Sequence, residues 1–226
     1  MTPACSTDSF KQAPIFYEDD YLLIFNKPAG MLVHPTVSES GATLCDAAAR
    51  HYAGRGLSCG LHPVSRLDRN TSGLVIFAKE PVLQYWLSLP EYHLVKEYLA
   101  VAGGRAAQLP ESGVIDAPIA RKSGSIIERC VDYERGKEAR TLYRVLRRYE
   151  GRALLALRLC TGRTHQIRVH LAHLGCPLVG DNLYGTLGPQ SRHALHAYKL
   201  SFIHPVSDKP LAVSCALPED MRRLLK

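Results

Sequence analysis

Apolar and polar positions alternate over short stretches through most of this chain, the pattern of half-buried strands. Strands are predicted at 15–19 (IFYED), 21–27 (YLLIFNK), 73–79 (GLVIFAK), 95–101 (VKEYLAV), 139–149 (ARTLYRVLRRY), 153–160 (ALLALRLC), 195–203 (LHAYKLSFI) and 211–217 (LAVSCAL). Thr141, Tyr143 and Val145 share one face of their strand, as do Ala197, Lys199 and Ser201 of theirs. Three helices are predicted, one over 43–53, a short one after Pro81, and one from Thr164 to Leu174. In the third, Thr164 is the expected N-cap, Gly175 fits the C-terminal cap and Pro177 blocks continuation. Its Ile167, Leu171 and Leu174 recur at helical spacing and should face the core. The Gly- and Pro-bearing stretch 102–113 is the expected divide between two lobes.

At 226 residues the chain is long enough for one large domain or two small lobes sharing a core. Residues 1–14, rich in Ser, Thr and Pro, read as a loose tail without a basic start or apolar h-region, and 15–226 as the folded domain. No apolar run reaches the ~18 residues of a membrane span. The cysteines (Cys5, Cys45, Cys59, Cys130, Cys160, Cys176 and Cys215) are odd in number and never spaced C-x-x-C, as expected of reduced thiols in a cytoplasmic protein. His165, His170 and His173 cluster without partner cysteines or an H-E-x-x-H arrangement, so no metal site is expected.

Net charge is +7, and its distribution says more than its total. Between Arg121 and Arg168 lie thirteen basic and five acidic residues, mostly in segments that read as strands or loops. Arginine dominates there, which suits phosphate contacts, and one basic face of this kind is the footprint of a polyanion. Arg144, Arg147 and Arg148 are expected to contribute through phosphates.

The stretch RLDRNTSGL at 66–74 concentrates the chemistry. Asp68 lies between Arg66 and Arg69 on a polar turn before an apolar strand, and neighbouring cations favour an ionised carboxylate that can act as nucleophile or base. Arg163, His165 and Arg168 crowd the positive end of the third predicted helix, where cations cost ~0.3–1 kcal/mol each. An anion would offset them, and the candidates are Asp68 or a phosphate of the polyanion. Neither a Walker loop nor a dinucleotide fingerprint is present.

Together these segments resemble the RluA branch of the pseudouridine synthases. The similarity is carried by NKPAGMLVHP (26–35), RLDRNTSGL (66–74), VKEYLAV (95–101), TGRTHQIRVHL (161–171), GDNLYG (180–185) and ALHAYKLSFIHP (194–205). Ser65 stands where that family often has His, and too few residues precede Lys27 for the small N-terminal RNA-binding domain of larger members. The resemblance implies an α+β fold: a mixed, mostly antiparallel central sheet in two lobes with flanking helices. It also implies isomerisation of uridine to pseudouridine in structured RNA, transfer or ribosomal, by a cytoplasmic monomer without cofactor. Asp68 would be the essential carboxylate, Arg168 its partner, and Tyr98 would stack on the uracil and accept the C5 proton late. Arg66 would fill the gap left by the everted nucleotide, with Arg69, Arg163 and His165 also on RNA. Lys27 and His34 would be structural or phosphate contacts, while Leu74 and Ile167 would wall the base pocket. The alternatives are a catalytically inactive RNA-binding or ribosome-assembly protein on the same fold and, further off, an N-glycosidase, for which no second carboxylate lies within the Asp68 motif.

Overall fold

The computed structural model describes residues 13–35, 43–54, 60–185 and 192–226. Its strands are β1 (Ile15–Glu18), β2 (Leu22–Lys27), β3 (His62–Pro63), β4 (Ser72–Ala78), β5 (Val95–Ala102), β6 (Ser112–Asp116), β7 (Ile119–Arg121), β8 (Arg129–Val131), β9 (Arg140–Tyr149), β10 (Arg152–Leu159), β11 (Leu195–Ile203) and β12 (Pro210–Ser214). The helices are α1 (Leu44–Ala53), α2 (Pro81–Trp86), α3 (Gln166–His173) and α4 (Glu219–Arg223). Ten strands form one sheet in the order β1-β2-β4-β11-β5-β10-β9-β6, with β3 added to β4 and β12 to β11, while β7 and β8 form a separate hairpin. Every pairing is antiparallel except β4 with β11.

That exception positions the site. β4 and β11 pair only at His196–Ser72 and Ala197–Gly73, after which each strand takes a different neighbour. The two halves of the sheet therefore diverge beyond a short seam. Gly73 has φ +119°, and a Cβ there would collide with the backbone of Ala197, so only glycine lets the halves approach.

The first half buries both faces, whereas the second buries one face fully and the other only where the C-terminus covers it. In the first, Leu23, Phe25, Val75 and Phe77 pack against Leu44, Ala48 and Tyr52 of α1, while Leu22, Ile24, Leu74 and Ile76 cluster with Leu83 near α2. Burial on both faces explains why 21–27 and 73–79 read as continuous apolar runs. Helix α1 starts where Thr43 and Asp46 cap each other reciprocally, Thr43 Oγ1 accepting from Asp46 N and Asp46 Oδ2 from Thr43 N. In the second half, Tyr98, Leu157 and Tyr143 lie side by side in register and share a core with Ile167 and Leu171 of α3. Val101 and Leu154 face the other way, onto Met221 and Leu224 at the C-terminus.

Several expectations are corrected. Residues 102–113 do not divide the lobes: they join two strands of the same half, held by Gly103 N to Pro177 O (2.8 Å) and Arg105 N to Gly175 O (3.0 Å). Most of the 1–14 tail lies outside the described residues, but Ala13 packs on the first core and Pro14 O accepts from Asn26 N at 2.8 Å. Helix α3 begins at Gln166, not after Thr164, with His165 as the cap residue in a left-handed conformation, φ 58°. The reason is Gln166, whose Oε1 accepts from Arg163 N and Thr161 Oγ1 and whose Nε2 donates to Arg140 O and Thr141 Oγ1. Gly175, at φ 72°, closes the helix as expected.

Candidate active site

A groove of about 830 Å³ opens where the sheet halves diverge, lined from both of them and from the start of α3. Asp68 enters from the loop before β4, and that loop is braced from behind. Thr71 N donates to Asp68 O (3.0 Å), Thr71 Oγ1 meets His193 Nε2 (2.7 Å), and Arg192 Nη1 donates to Asn70 O (3.3 Å) while its guanidinium pairs with Asp220 at 2.6 Å. Lys27 adds the deepest anchor. It is fully buried, with Nζ donating to Met31 O (2.8 Å), Arg69 O (3.0 Å) and Pro28 O (3.1 Å).

The charged centre is a triad. Arg168 Nη1 lies 3.3 Å from Asp68 Oδ2, while its Nε and Nη2 each donate at 2.8 Å to the two oxygens of Asp181. The side chains are 29%, 7% and 0% exposed for Asp68, Arg168 and Asp181, so the groove sees Asp68 and the fork is set behind it. Burial opposes both charges of the inner pair, yet mutual hydrogen bonding wins: the Asp181 carboxyl is held below the usual range and the Arg168 guanidinium above its own. Tyr184 completes the packing, its ring 5.0 Å from the Arg168 guanidinium and its hydroxyl 2.7 Å from His165 Nδ1. His165 Nε2 in turn lies 3.8 Å from Asp68 Oδ2. A non-glycine residue at positive φ is strained, and here the strain accompanies delivery of that imidazole to the carboxylate. Burial lowers the His165 pKa more than Asp68 raises it, leaving a neutral ring at pH 7.

Tyr98 and Ile167, 6% and 3% exposed, line the same groove. Burial first, and then the nearby Asp68 charge, push the Tyr98 phenol far up. Tyr98 is therefore a neutral phenol at the wall of the groove. Arg66, Arg69, Arg163 and His34 also line the groove. Arg69 Nε reaches Gly30 O at 3.3 Å and Arg163 Nε reaches Glu138 O at 2.8 Å. His34 Nδ1 sits 3.4 Å from Cys45 Sγ.

One expectation narrows here and two are corrected. Lys27 is enclosed, so of its two readings only the structural one fits. Leu74 belongs to the core beside Leu22, Ile24 and Ile76, and the apolar lining comes instead from Leu67, Leu159 and Leu195 with Ile167. Arg144 and Arg147 lie on the reverse face: Arg144 registers with Ala156 and Leu99, one residue out of phase with Tyr143, Leu157 and Tyr98, and Arg147 with Leu154 and Val101. Arg148 is tied to Ala107 O, Leu109 O and Glu111. Asp181, His193, Arg192 and Tyr184 join the site beyond the residues expected from sequence. For Asp181 and Tyr184 the available signal was the GDNLYG motif, which contains both.

This sheet with its junction groove is the pseudouridine synthase domain fold. Two human proteins, RNA pseudouridylate synthase domain containing 1 and 4, superpose with TM-scores of 0.73 and 0.75 at 26% and 25% identity, covering 96% and 93% of this chain and 86% and 91% of theirs. An uncharacterized RNA pseudouridine synthase of Bacillus subtilis is 41% identical over 215 residues, 94% of this chain and 75% of its own. Ribosomal large subunit pseudouridine synthase D of Xanthomonas campestris is 39% identical over 230 residues, 93% of this chain and 68% of its own. Residues 21–173 match the RNA pseudouridylate synthase family, and the chain belongs to it. Its activity is isomerisation of uridine to pseudouridine in RNA.

Proposed function

We propose that Asp68 is the essential carboxylate of this isomerisation, with Arg168 fixing its rotamer and Tyr98 and Ile167 holding the uracil. The supporting observation is the Asp68–Arg168–Asp181 triad, in which the one partly exposed carboxylate faces the groove beside an aromatic ring. The N1–C1′ bond breaks, uracil turns within the apolar lining, C5 bonds to C1′, N1 gains a proton and C5 gives one up. Asp68 acts as nucleophile on the sugar or as base at C2′. Either task uses a carboxylate whose orientation is set in advance by a buried guanidinium, which lowers the reorganisation needed at the transition state.

Arg66 is the residue proposed to occupy the position vacated by the everted nucleotide, since it is exposed at the groove mouth. Arg69, Arg163 and His165 line the path of the strand. We further propose that the enzyme works as a monomer in the cytoplasm. Ribosomal RNA is the first substrate to assay, because relatives named for the large ribosomal subunit cover most of this chain. The test uses RNA carrying tritium at uracil C5: wild type releases label and Asp68→Asn releases none. Substantial release by the variant removes Asp68 from the mechanism.

A further inference from the structure

Strand β5 presents Leu94 just before it, then Lys96 and Tyr98, to the groove, while the intervening Glu97 points away and pairs with Lys199 at 3.0 Å. Lys96 is half-buried, and among the described residues its ammonium has neither a hydrogen bond nor an ion pair. The other partly or fully buried cations of the site are all satisfied: Lys27 by carbonyls, Arg168 by carboxylates, Arg192 by Asp220 and carbonyls. An unpaired charge drawn partly out of water is costly unless something charged or polar meets it. Burial alone lowers its pKa, with no neighbouring acid to oppose the effect. Asp68 is the only acid among the residues that line the groove, and it is taken up by Arg168.

We propose that Lys96 is a phosphate subsite, gripping the RNA backbone next to the nucleotide whose base rests on Tyr98, and so sets which nucleotide enters the groove. This rests on the groove being the RNA site. Residues two apart on a strand are about 7 Å from each other, so a base stacked on Tyr98 leaves its neighbouring phosphate within reach of a lysine side chain there. The contact is to the backbone and fixes register along the strand without reading a base.

The test compares wild type, Lys96→Gln, Lys96→Arg and Asp68→Asn on total RNA labelled with tritium at uracil C5 and isolated from cells lacking this gene. For Lys96→Gln the KM should rise about tenfold, with kcat at saturating RNA kept within about twofold. The slope of log(1/KM) against log salt should become shallower by roughly 0.7–0.9, the value of one phosphate. Lys96→Arg should restore most of both, and the melting temperature of Lys96→Gln should not fall, because no folded-state partner is lost. An unchanged KM and salt slope in Lys96→Gln, beside an active wild type and an inactive Asp68→Asn, overturns the subsite alone. A fall in kcat at constant KM also overturns it, by assigning Lys96 to the chemistry. Absence of release by wild type overturns the reading of the groove itself. Should Lys96→Gln fail to fold, the subsite is judged on Lys96→Met by the same two readouts.

Discussion

Replacing Asp181 by Asn tests how Asp68, the carboxylate proposed to act on the nucleotide, is held without touching the groove. Arg168 is 7% exposed and makes two 2.8 Å bonds to Asp181, against one of 3.3 Å to Asp68. The amide keeps an acceptor oxygen but loses the charge and presents a donor to a guanidinium. Loss of a charge-assisted hydrogen bond is worth about 1.5–3 kcal/mol, and a buried charge left without its partner about 3–5 kcal/mol. The retained oxygen and the remaining Asp68 charge place Asp181→Asn between these, at a stability loss of about 2–4 kcal/mol. Arg168 is then free to follow Asp68, the preset geometry is lost, and kcat should fall at least about tenfold, or about 1.4 kcal/mol of transition-state stabilisation. KM should hold, because Asp181 is not part of the groove lining. The pH dependence has a definite sign. Burial raises the Asp181 pKa, but Arg168 together with Leu183 N and His193 outweighs it, so the folded-state value is depressed. Its contribution is therefore complete above the unfolded carboxyl value of about 4 and is lost as pH falls through the lower folded value. Urea unfolding from neutral to acid pH should show a shallower acid limb in the variant, and tritium release gives kcat and KM. Wild-type kcat together with a stability change under about 0.5 kcal/mol would refute the claim that Asp181 holds Arg168 for Asp68.

Lys27→Met should remove a rise in stability with pH. Burial brings the Lys27 pKa down to about 7, so between there and its unfolded value of about 10.4 the unfolded chain holds a proton that the folded chain has released, and wild-type stability climbs. Urea midpoints taken stepwise over that range should climb less for the variant, and an equal climb would show that Lys27 titrates normally. Replacing Arg144 and Arg147 together by Ala should leave both KM for RNA and its salt dependence unchanged, since both side chains leave the sheet on the face opposite Tyr98. A slope shallower by about one unit or more would mean that RNA wraps onto that reverse face.

Strands with plain apolar alternation or continuous apolar runs were legible, among them β2, β4, β5, β9, β10 and β11, as were α1 and the C-terminal stop of α3. The predicted set omitted β3, β6, β7, β8 and α4. β3 is two residues long and β7 and β8 three each, β6 carries the polar Ser112 and Asp116 at its ends, and α4 is a single five-residue turn rich in charge. Too few positions are present in these elements for a periodicity to register. Helix α3 starts later than its Thr164 cap signal predicts, because a glutamine two residues on reaches back to four partners. In the site, Asp68, Tyr98, Arg168 and Ile167 came together across up to 100 positions of sequence. Asp181 did not declare itself, because its role depends on burial and on facing Arg168, which no local pattern encodes. Leu74 failed for a related reason: adjacency to the Asp68 loop in sequence does not say which face of the next strand meets the groove.

The charge reading carries the more general point. Thirteen cations between Arg121 and Arg168 suggested a single basic RNA face, but the fold sorts them by register. Arg168 is turned inward onto carboxylates, Arg148 and Arg163 reach backbone carbonyls, and Arg144, Arg147 and Arg158 fall in the alternate phase of β9 and β10, away from Tyr98. The cations that line the groove come largely from elsewhere in the chain: Arg66 and Arg69 flank Asp68, Lys96 precedes Tyr98, and only Arg163 and Arg168 are drawn from the basic window. Net charge acts on an RNA by long-range attraction, whereas the cations that reach the groove are few, and their positions are set by strand phase and by what lies behind them. For this protein the loop before β4 and the short seam between β4 and β11 bring Asp68 and its flanking arginines to the gap beside Tyr98.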